Sequence, residues 1–445
     1  MRFTLKELAE FCGGKIIGGD AVVTGVCADS RIVKPGDAFV ALRAERDGNL
    51  YADSAAEKGA VCVISDVEKP LSVPVLVVKD TLLALGAVAK AHIAKFSPRK
   101  IAVTGSVGKT GTKEMVAAVI GRTGKTLKNE ANFNNEIGLP LTAYKLDDTY
   151  ANAVFEMGMR GEGQISYLAD IVKPEIGIIT NVDVPHLELT GSLENTARYK
   201  GELLDYLPET GTAVLNKDNR FFDYFRSRAK CDVISFGTDP AADVKSLEYT
   251  ADETGCKVKA SLKGQVIEYT IAAVGAHNVI NSLAAAAAGL AAGMTAEEIK
   301  AGLEGYRPIG GRMEVFEAKG VTVIDDTYNA APPSVIAALK TLASFKAERR
   351  IAALGDMLEL GEKSDALHKI VGEAAKDTGI DILICIGTSA KYIAEGAAGG
   401  KAEIYRFDTS DEAAEFVKKI VRPGDAVLAK GSHAIATEKI PEALK

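Results

Sequence analysis

The run "TGSVGKTGTKE", Thr104 to Glu114, sets a lysine and a threonine behind a glycine-bounded turn, the residue types that hold nucleotide phosphates. A phosphate loop reads G-x-x-x-x-G-K-[ST], and counting back from Lys109 puts Val103 where the first glycine belongs. The rest of the context is present. "KIAVT" before the turn reads as a strand and "GTKEMVAAVIG" after it as a helix. Gly105, Ser106, Val107, Gly108, Lys109 and Thr110 therefore fall where backbone N–H groups and a helix N-terminus face an anion. Lys109 offers a mobile positive charge to the β- and γ-phosphates, and the Thr110 hydroxyl can ligate Mg2+. The bland alternative is a glycine turn with a surface lysine.

A nucleotide site also needs carboxylates for its metal. Glu156 closes the apolar run "AVFEMG", and "TNVDVPHLE" offers Asp183 and His186 after the next such run. Both lie at the carboxyl ends of strands, where α/β sheets keep their ligands. Taken singly, Glu156 also reads as a strand-end charge, His186 as a loop histidine, and Lys200 in "ENTARYKGEL" as a solvated helix side chain.

Positioning these groups takes more than one core, since 445 residues exceed a single ordinary domain. Residues 1–97 alternate short β-rich runs with turns and close on a helix that Asp80 or Thr81 can cap, running to Ser97-Pro98. Residues 98–308 interleave apolar strands ("KIAVT", "AVFEMG", "IGIITNV", "TAVLN", "VISFG") with helical stretches, the pattern of a mostly parallel sheet covered on both faces. "SLAAAAAGLAAG" is a small-residue helix able to lie close to that sheet. Residues 309–445 repeat the alternation ("VTVIDD", "RIAALGD", "ILICIG", "EIYRFD", "AVLAKGS"). The expected fold class is thus α/β with three domains: a small N-terminal α/β substrate domain, a central P-loop ATPase-like parallel sheet and a C-terminal Rossmann-like doubly wound domain.

Composition narrows the class. Hydrophobic residues make up 47% and charged residues 25%, as in a soluble globular protein, and the net charge of −7 argues against a general nucleic-acid or membrane-surface binder. The N-terminus lacks the apolar core of a secretory signal, and no stretch resembles a membrane span. Six cysteines without a C-x-x-C pair read as reduced, mostly buried thiols of a cytoplasmic protein.

The shortened loop is similar to that of the Mur ligase superfamily, ATP-dependent amide ligases of peptidoglycan stem-peptide synthesis with folylpolyglutamate synthase as a relative. The resemblance runs along essentially the whole chain. It is carried by "DSRIVKPGDAFVAL" (29–42), "NFNNEIGLPLT" (132–142), "EMGMRGEGQI" (156–165), "NVDVPHLELTGSLENTARYKGEL" (181–203) and "GAHNVINSLAAAA" (275–287). "GRMEVF" (311–316), "DDTYNAAPPS" (325–334), "LGDMLELG" (354–361) and "KGSHA" (430–434) extend it. "NNEIGLP" and "DDTYNA" direct it to the members that add D-alanyl-D-alanine to UDP-N-acetylmuramoyl-tripeptide.

The resemblance implies ATP and two Mg2+ ions as cofactors, an acyl-phosphate intermediate, and a cytoplasmic monomer that neither binds nucleic acid nor inserts into a membrane. It implies that Lys109, Glu156, His186 and Lys200 are catalytic, that Thr110, Glu156, His186 and Lys200 hold metal, and that Lys200 is carbamylated. Asn281, Arg312 and Asp326 resemble nucleotide contacts. Asp29, Ser30 and Arg31 resemble the uridine-diphosphate site, with a capped turn as the alternative, and Asn132, Asn134 and Asn135 match a segment near the nucleotide-sugar substrate. Two residues depart from the family pattern: Ala331 stands where asparagine is common and His433 where arginine is common, which bears on recognition of the dipeptide. The other readings are a Mur ligase that adds the third stem residue, a folylpolyglutamate synthase, or a P-loop nucleotide-binding switch that does not ligate.

Overall fold

The computed structural model describes residues 1–44, 46–130, 132–183, 190–308 and 310–445. They divide into two compact units. One comprises Met1–Thr104, Thr123–Gly177 and Glu202–Gly211, the other Gly105–Arg122, Ile178–Gly201 and Thr212–Lys445.

The first unit contains a five-stranded sheet in the order Lys15–Ile17, Val75–Val77, Cys62–Ser65, Asp37–Val40, Gly25–Cys27. Its pairs are parallel apart from Lys15–Ile17 with Val75–Val77. Successive side chains go to opposite faces, which is why these short runs are mostly apolar at both parities. Ala38, Val40, Cys62 and Ile64 pack with Leu5, Leu8 and Leu85, while Phe39, Ala41 and Val63 pack with Ala52 and Ala55. Asp80 caps helix Thr81–Ile93, its Oδ1 accepting from the N–H groups of Leu82 and Leu83 at 2.8 and 2.9 Å. The helix stops short of Ser97-Pro98, because Lys95 and Phe96 bond back three residues, to His92 and Ile93, and tighten the last turn.

His92 in that helix is fully buried; its Nε2 lies 2.9 Å from the Leu146 carbonyl and its Nδ1 has no hydrogen-bond partner. Burial, opposed by the Leu146 contact, holds the imidazole below its usual 6.5. The unfolded chain therefore takes up this proton at a higher pH than the folded one. The stability involved is complete above about pH 6.5 and is lost as pH falls through the window beneath it. The urea midpoint should drop between pH 7 and pH 5, and His92→Leu should flatten that slope. An unchanged slope in the variant removes His92 as the cause.

In the first unit Arg99–Thr104, Asn152–Glu156 and Thr126–Lys128 are neighbours in that order, parallel as the apolar runs imply, and Glu156 pairs in register with Val103. In the second unit the sheet order is Gln265–Ile271, Gly255–Leu262, Val244–Asp252, Asp232–Gly237, Thr212–Asn216, the last two parallel to each other. Three of the second unit's strands lie outside the pattern of parallel apolar runs. Val244–Asp252, Gly255–Leu262 and Gln265–Ile271 form a meander with antiparallel pairing, joined at Lys263-Gly264 by a turn with both φ angles positive, 47° and 97°. Their signal is the alternation of "KVKASLKGQVIEYTI". In the second unit helix Ala276–Ala291 packs on the inner strands of this sheet and on helix Lys109–Ile120. Its small side chains allow that close approach.

The second unit also holds a six-stranded sheet in the order Glu314–Ala318, Val321–Asp325, Asp425–Lys430, Arg349–Gly355, Ile382–Ile386, Glu403–Phe407. All its pairs are parallel except the first. Ala352, Leu354, Ala426 and Leu428 join one apolar core, and Ile351, Ala353, Val427 and Ala429 the opposite one. Both faces are covered by helices, the doubly wound arrangement that the third alternation implies.

Candidate active site

The phosphate loop opens helix Lys109–Ile120, whose N-cap is Gly108 at φ 80°. Glycine is required here twice over. A Cβ at Gly105 would lie 1.8 Å from Thr180 Oγ1, and one at Gly108 would lie 2.8 Å from Asn281 Oδ1. The loop is tied to the residues after strand Ile176–Ile179. The Ser106 and Val107 N–H groups donate to the Asn181 carbonyl and Oδ1 at 3.0 and 2.9 Å. Thr180 Oγ1 and Asn181 Nδ2 donate to the Val107 carbonyl at 2.8 and 3.0 Å. Asp183, through its N–H, meets Ser106 Oγ at 3.0 Å. A glycine at position 103 is unnecessary in this geometry, since Val103 is an interior strand residue, fully buried.

Lys109 folds back over its own loop, with Nζ 2.8 Å from the Gly105 carbonyl and 3.2 Å from that of Ser106. Thr110 is buried in the first helical turn. Asn281 accepts from Thr112 Oγ1 at 3.1 Å and donates to Asn278 Oδ1 at 3.1 Å, so it buttresses the loop helix. Lys113 and Glu114, two residues that motif reading passes over, form a buried ion pair at 2.9 Å on the same helix.

Lys200 is the penultimate residue of helix Leu193–Gly201 and is 3% exposed. Its ammonium is held well below its usual range, first by burial and then by the charge of Lys109. It is a buried amine that feels the Lys109 charge, not the solvated helix side chain of the alternative reading.

In the first unit Glu156 is 2% exposed at the end of its strand. Asn134 Nδ2 donates to its Oε1 at 2.7 Å, and Asn129 bonds its main chain on both sides, accepting from the N–H at 2.8 Å and donating to the carbonyl at 2.9 Å. Asn135 Oδ1 instead accepts from the Ile137 and Gly138 N–H groups at the start of helix Gly138–Ala143, and Asn132 is exposed. Asp29 and Arg31 form an ion pair with a capped turn: the Arg31 N–H and Nε both reach Asp29 Oδ1 at 2.9 Å, and Nη2 reaches Oδ2 at 2.7 Å. The Arg31 guanidinium holds the Asp29 carboxyl down to about 2. The Ser30 carbonyl accepts from Lys58 Nζ at 2.9 Å. His186 lies outside the described residues.

At the six-stranded sheet, Arg312 stacks its guanidinium 3.7 Å above the Tyr328 ring, and that ring lies near-parallel to His433 at 6.2 Å. Asp326 accepts from Lys430 Nζ at 2.5 Å, and Lys430 also donates to the Asn329 carbonyl at 2.9 Å. Lys430 and Tyr328 are partners that motif reading does not single out, although both fall inside quoted segments. Asp356 of "LGDMLELG" is structural. Its carboxylate accepts the N–H groups of Thr388 and Ala390 at 3.0 and 2.6 Å and ties two strand ends together. Ala331 is the N-cap of helix Pro332–Ser344, a position where asparagine is among the best caps and alanine supplies none.

Each unit offers a buried oxygen donor of the kind Mg2+ takes, the Thr110 hydroxyl in the second and the Glu156 carboxylate in the first. The Lys200 amine is not such a donor until it carries a carboxyl group.

Comparison with known proteins agrees with this geometry. Residues 103–289 match the Mur ligase middle domain and residues 311–433 the Mur ligase glutamate ligase domain. The chain is 34% identical over 450 residues to the UDP-N-acetylmuramoyl-tripeptide–D-alanyl-D-alanine ligase of Escherichia coli (strain K12), covering 99% of this chain and 98% of that protein. Its structure is similar to that of MurF from Acinetobacter baumannii, with a TM-score of 0.93 at 29% identity, covering 100% of this chain and 99% of that one. It is also similar to the MurF ligase of Thermotoga maritima in complex with ADP, with a TM-score of 0.86 at 27% identity over 94% and 96% of the two chains. The chain belongs to the Mur ligase family.

Proposed function

We propose that this chain joins D-alanyl-D-alanine to UDP-N-acetylmuramoyl-tripeptide, with ATP converted to ADP and phosphate, in cytoplasmic peptidoglycan precursor synthesis. The observation that carries the reading is the clamped phosphate loop, with the buried Lys200 amine in the field of Lys109. The ADP complex of the Thermotoga maritima relative supports a nucleotide as a ligand of this chain, which is assigned to that loop. The matches over 103–289 and 311–433 support a middle domain at 98–308 and a ligase domain at 309–445; the nucleotide is assigned to the first of these and the UDP-substrate to 1–97.

The chemistry starts with the tripeptide carboxylate attacking the γ-phosphate, which gives an acyl phosphate and ADP. The dipeptide amine then attacks the acyl carbon, and phosphate leaves as the amide forms. Two like-charged groups must first be brought together, so the main demand on the protein is neutralisation and alignment. The loop N–H groups and Lys109 hold the transferring phosphate, with the Lys109 ammonium moving off the Gly105 and Ser106 carbonyls onto phosphate oxygens. Asn281 packs so close to Gly108 that a side chain there would collide with it. Arg312, braced on Tyr328, and Asp326, held by Lys430, are assigned to the nucleotide.

Thr110, Glu156, His186 and Lys200 would hold two Mg2+ ions, which supply charge neutralisation on the phosphates. Glu156 is presented by Asn134 in one orientation. A neutral, buried Lys200 amine is the form that adds to carbon dioxide, giving a carbamate and releasing one proton. That converts a nitrogen base into the oxygen ligand that Mg2+ prefers. Asp29, Ser30, Arg31, Asn132, Asn134 and Asn135 are assigned to the UDP-substrate, and the enzyme is proposed to act as a monomer. Among the described residues no helix is long and apolar enough to cross a membrane.

The test is ADP release measured with UDP-N-acetylmuramoyl-tripeptide, with and without D-alanyl-D-alanine. Turnover should require both. ADP release that ignores the dipeptide, or prefers diaminopimelate, lysine or glutamate, overturns the assignment.

A further inference from the structure

In the six-stranded sheet, strands Ile382–Ile386 and Glu403–Phe407 are parallel neighbours, yet the chain leaves them toward opposite faces. Helix Lys391–Ala397 follows the first and packs with Leu383 and Cys385. Helix Ser410–Ile420 follows the second and packs with Ile382, Ile384 and Ile386 on the other side. Neighbouring strands whose exits diverge leave a crevice outside their carboxyl ends, the place where open α/β sheets bind ligands. A cavity of about 320 Å3 lies there, lined by Gly387, Arg406, Phe407, Asp408 and Glu412. Its size suits a small molecule.

The charges of the lining are uncommitted. Arg406 and Asp408 are exposed, and neither side chain has a hydrogen bond or ion pair among the described residues. Phe407 between them turns to the opposite face, where its ring centre lies 5.1 Å from that of Phe416. Glu412 is half committed: its Oε2 accepts from the Thr409 N–H at 3.3 Å and closes the start of helix Ser410–Ile420, so the helix end offers no open anion site. The crevice thus presents one guanidinium and two carboxylates. A simple anion meets the carboxylates and a simple cation meets Arg406, whereas a molecule carrying both charges satisfies each side. Two residues at the strand end stand about 7 Å apart, and an extended dipeptide spans about 7 Å as well.

We propose that this crevice is a binding site for a small zwitterion of dipeptide length, with Arg406 taking its carboxylate and Asp408, aided by Glu412, its ammonium. The site is separate from the place where Lys430 meets Asp326. Three strand spacings, from Asp425–Lys430 through Arg349–Gly355 and Ile382–Ile386 to Glu403–Phe407, put the two about 14 Å apart. Binding here goes beyond the ligase reading and needs neither ATP nor amide formation. D-Alanyl-D-alanine is the probe, because it carries both charges at the required spacing.

Calorimetry on the full-length chain, without ATP or UDP-substrate, measures the Kd of three ligands. They are D-alanyl-D-alanine, N-acetyl-D-alanyl-D-alanine, which lacks the ammonium, and D-alanyl-D-alaninamide, which lacks the carboxylate. Wild type should bind the zwitterion about tenfold more tightly than either analogue, the scale of one charge-assisted hydrogen bond. Arg406→Gln and Asp408→Asn should each weaken the zwitterion by about tenfold as well. The amide should be indifferent to Arg406→Gln and the acetylated ligand to Asp408→Asn, since the partner charge is already gone. The kcat of dipeptide-dependent ADP release should stay at the wild-type value in both variants. Equal binding of the three ligands by wild type, no binding of the zwitterion, or an unchanged Kd in both variants overturns the site. A kcat that falls with either substitution overturns its separation from the reacting groups. The comparison of ligands on wild type depends on no variant folding. Failure of the ligase reading shows elsewhere, as ADP release that ignores the dipeptide, and leaves these Kd values as they are.

Discussion

Lys109→Ala should lower dipeptide-dependent ADP release by about a thousandfold, the scale on which losing a charged group at a transferring phosphoryl is felt. The structure says why a single side chain matters this much. Its ammonium already hangs over the loop on two carbonyls, so it reaches the phosphate with little rearrangement. The loop itself should survive the change. Asn181, Thr180 and Asn281 hold it, and none of those contacts uses Lys109. Circular dichroism and the thermal midpoint should therefore stay near wild type while kcat collapses. A variant within about threefold of wild type would remove the loop from the chemistry, because this group's whole contribution is electrostatic.

Lys200→Ala and Lys200→Arg should each abolish most of the activity, again by about a thousandfold, through loss of metal-held charge at the reacting phosphate. The pair separates two explanations. If a cation were needed at this position, arginine would rescue. If a carbamate is needed, arginine fails, because its guanidinium stays protonated and does not add carbon dioxide. Stability should move the other way. Burial holds the Lys200 amine far from its solvated state, so Lys200→Met should leave the unfolding midpoint unchanged or raise it. Activity retained in full by Lys200→Ala, at any bicarbonate concentration, removes the carbamate and leaves the ligase assignment standing.

Much of the fold is legible in pattern alone. The stretches "IAAL" and "AVLA" inside "RIAALGD" and "AVLAKGS" are apolar without interruption because Ile351 and Ala353 face one helical layer while Ala352 and Leu354 face another. The helix at Thr81 is legible because Asp80 makes its cap with neighbours two and three residues on. The antiparallel strands from Val244 to Ile271 escape a search for parallel apolar runs, although their alternation is in the sequence, because such a search passes over half-exposed ones. Pattern also overextends the helix from Thr81, since nothing in "AHIAKF" forbids another turn and only the backbone bonds to His92 and Ile93 end it.

By itself the sequence determined the phosphate loop, its strand and helix, and the family whose chemistry it serves. Those features are contiguous, so local spacing encodes them. Tertiary structure decided which residues make the loop usable. Asn181 reaches it across 74 residues and Asn281 reaches its helix across 169. It also decided that Lys200 is a buried amine, although helix periodicity reads it equally well as a solvated one. Solvation and long-range hydrogen bonds depend on what the rest of the chain packs alongside, and no window of residues around Lys200 contains the Lys109 charge that helps hold its proton off.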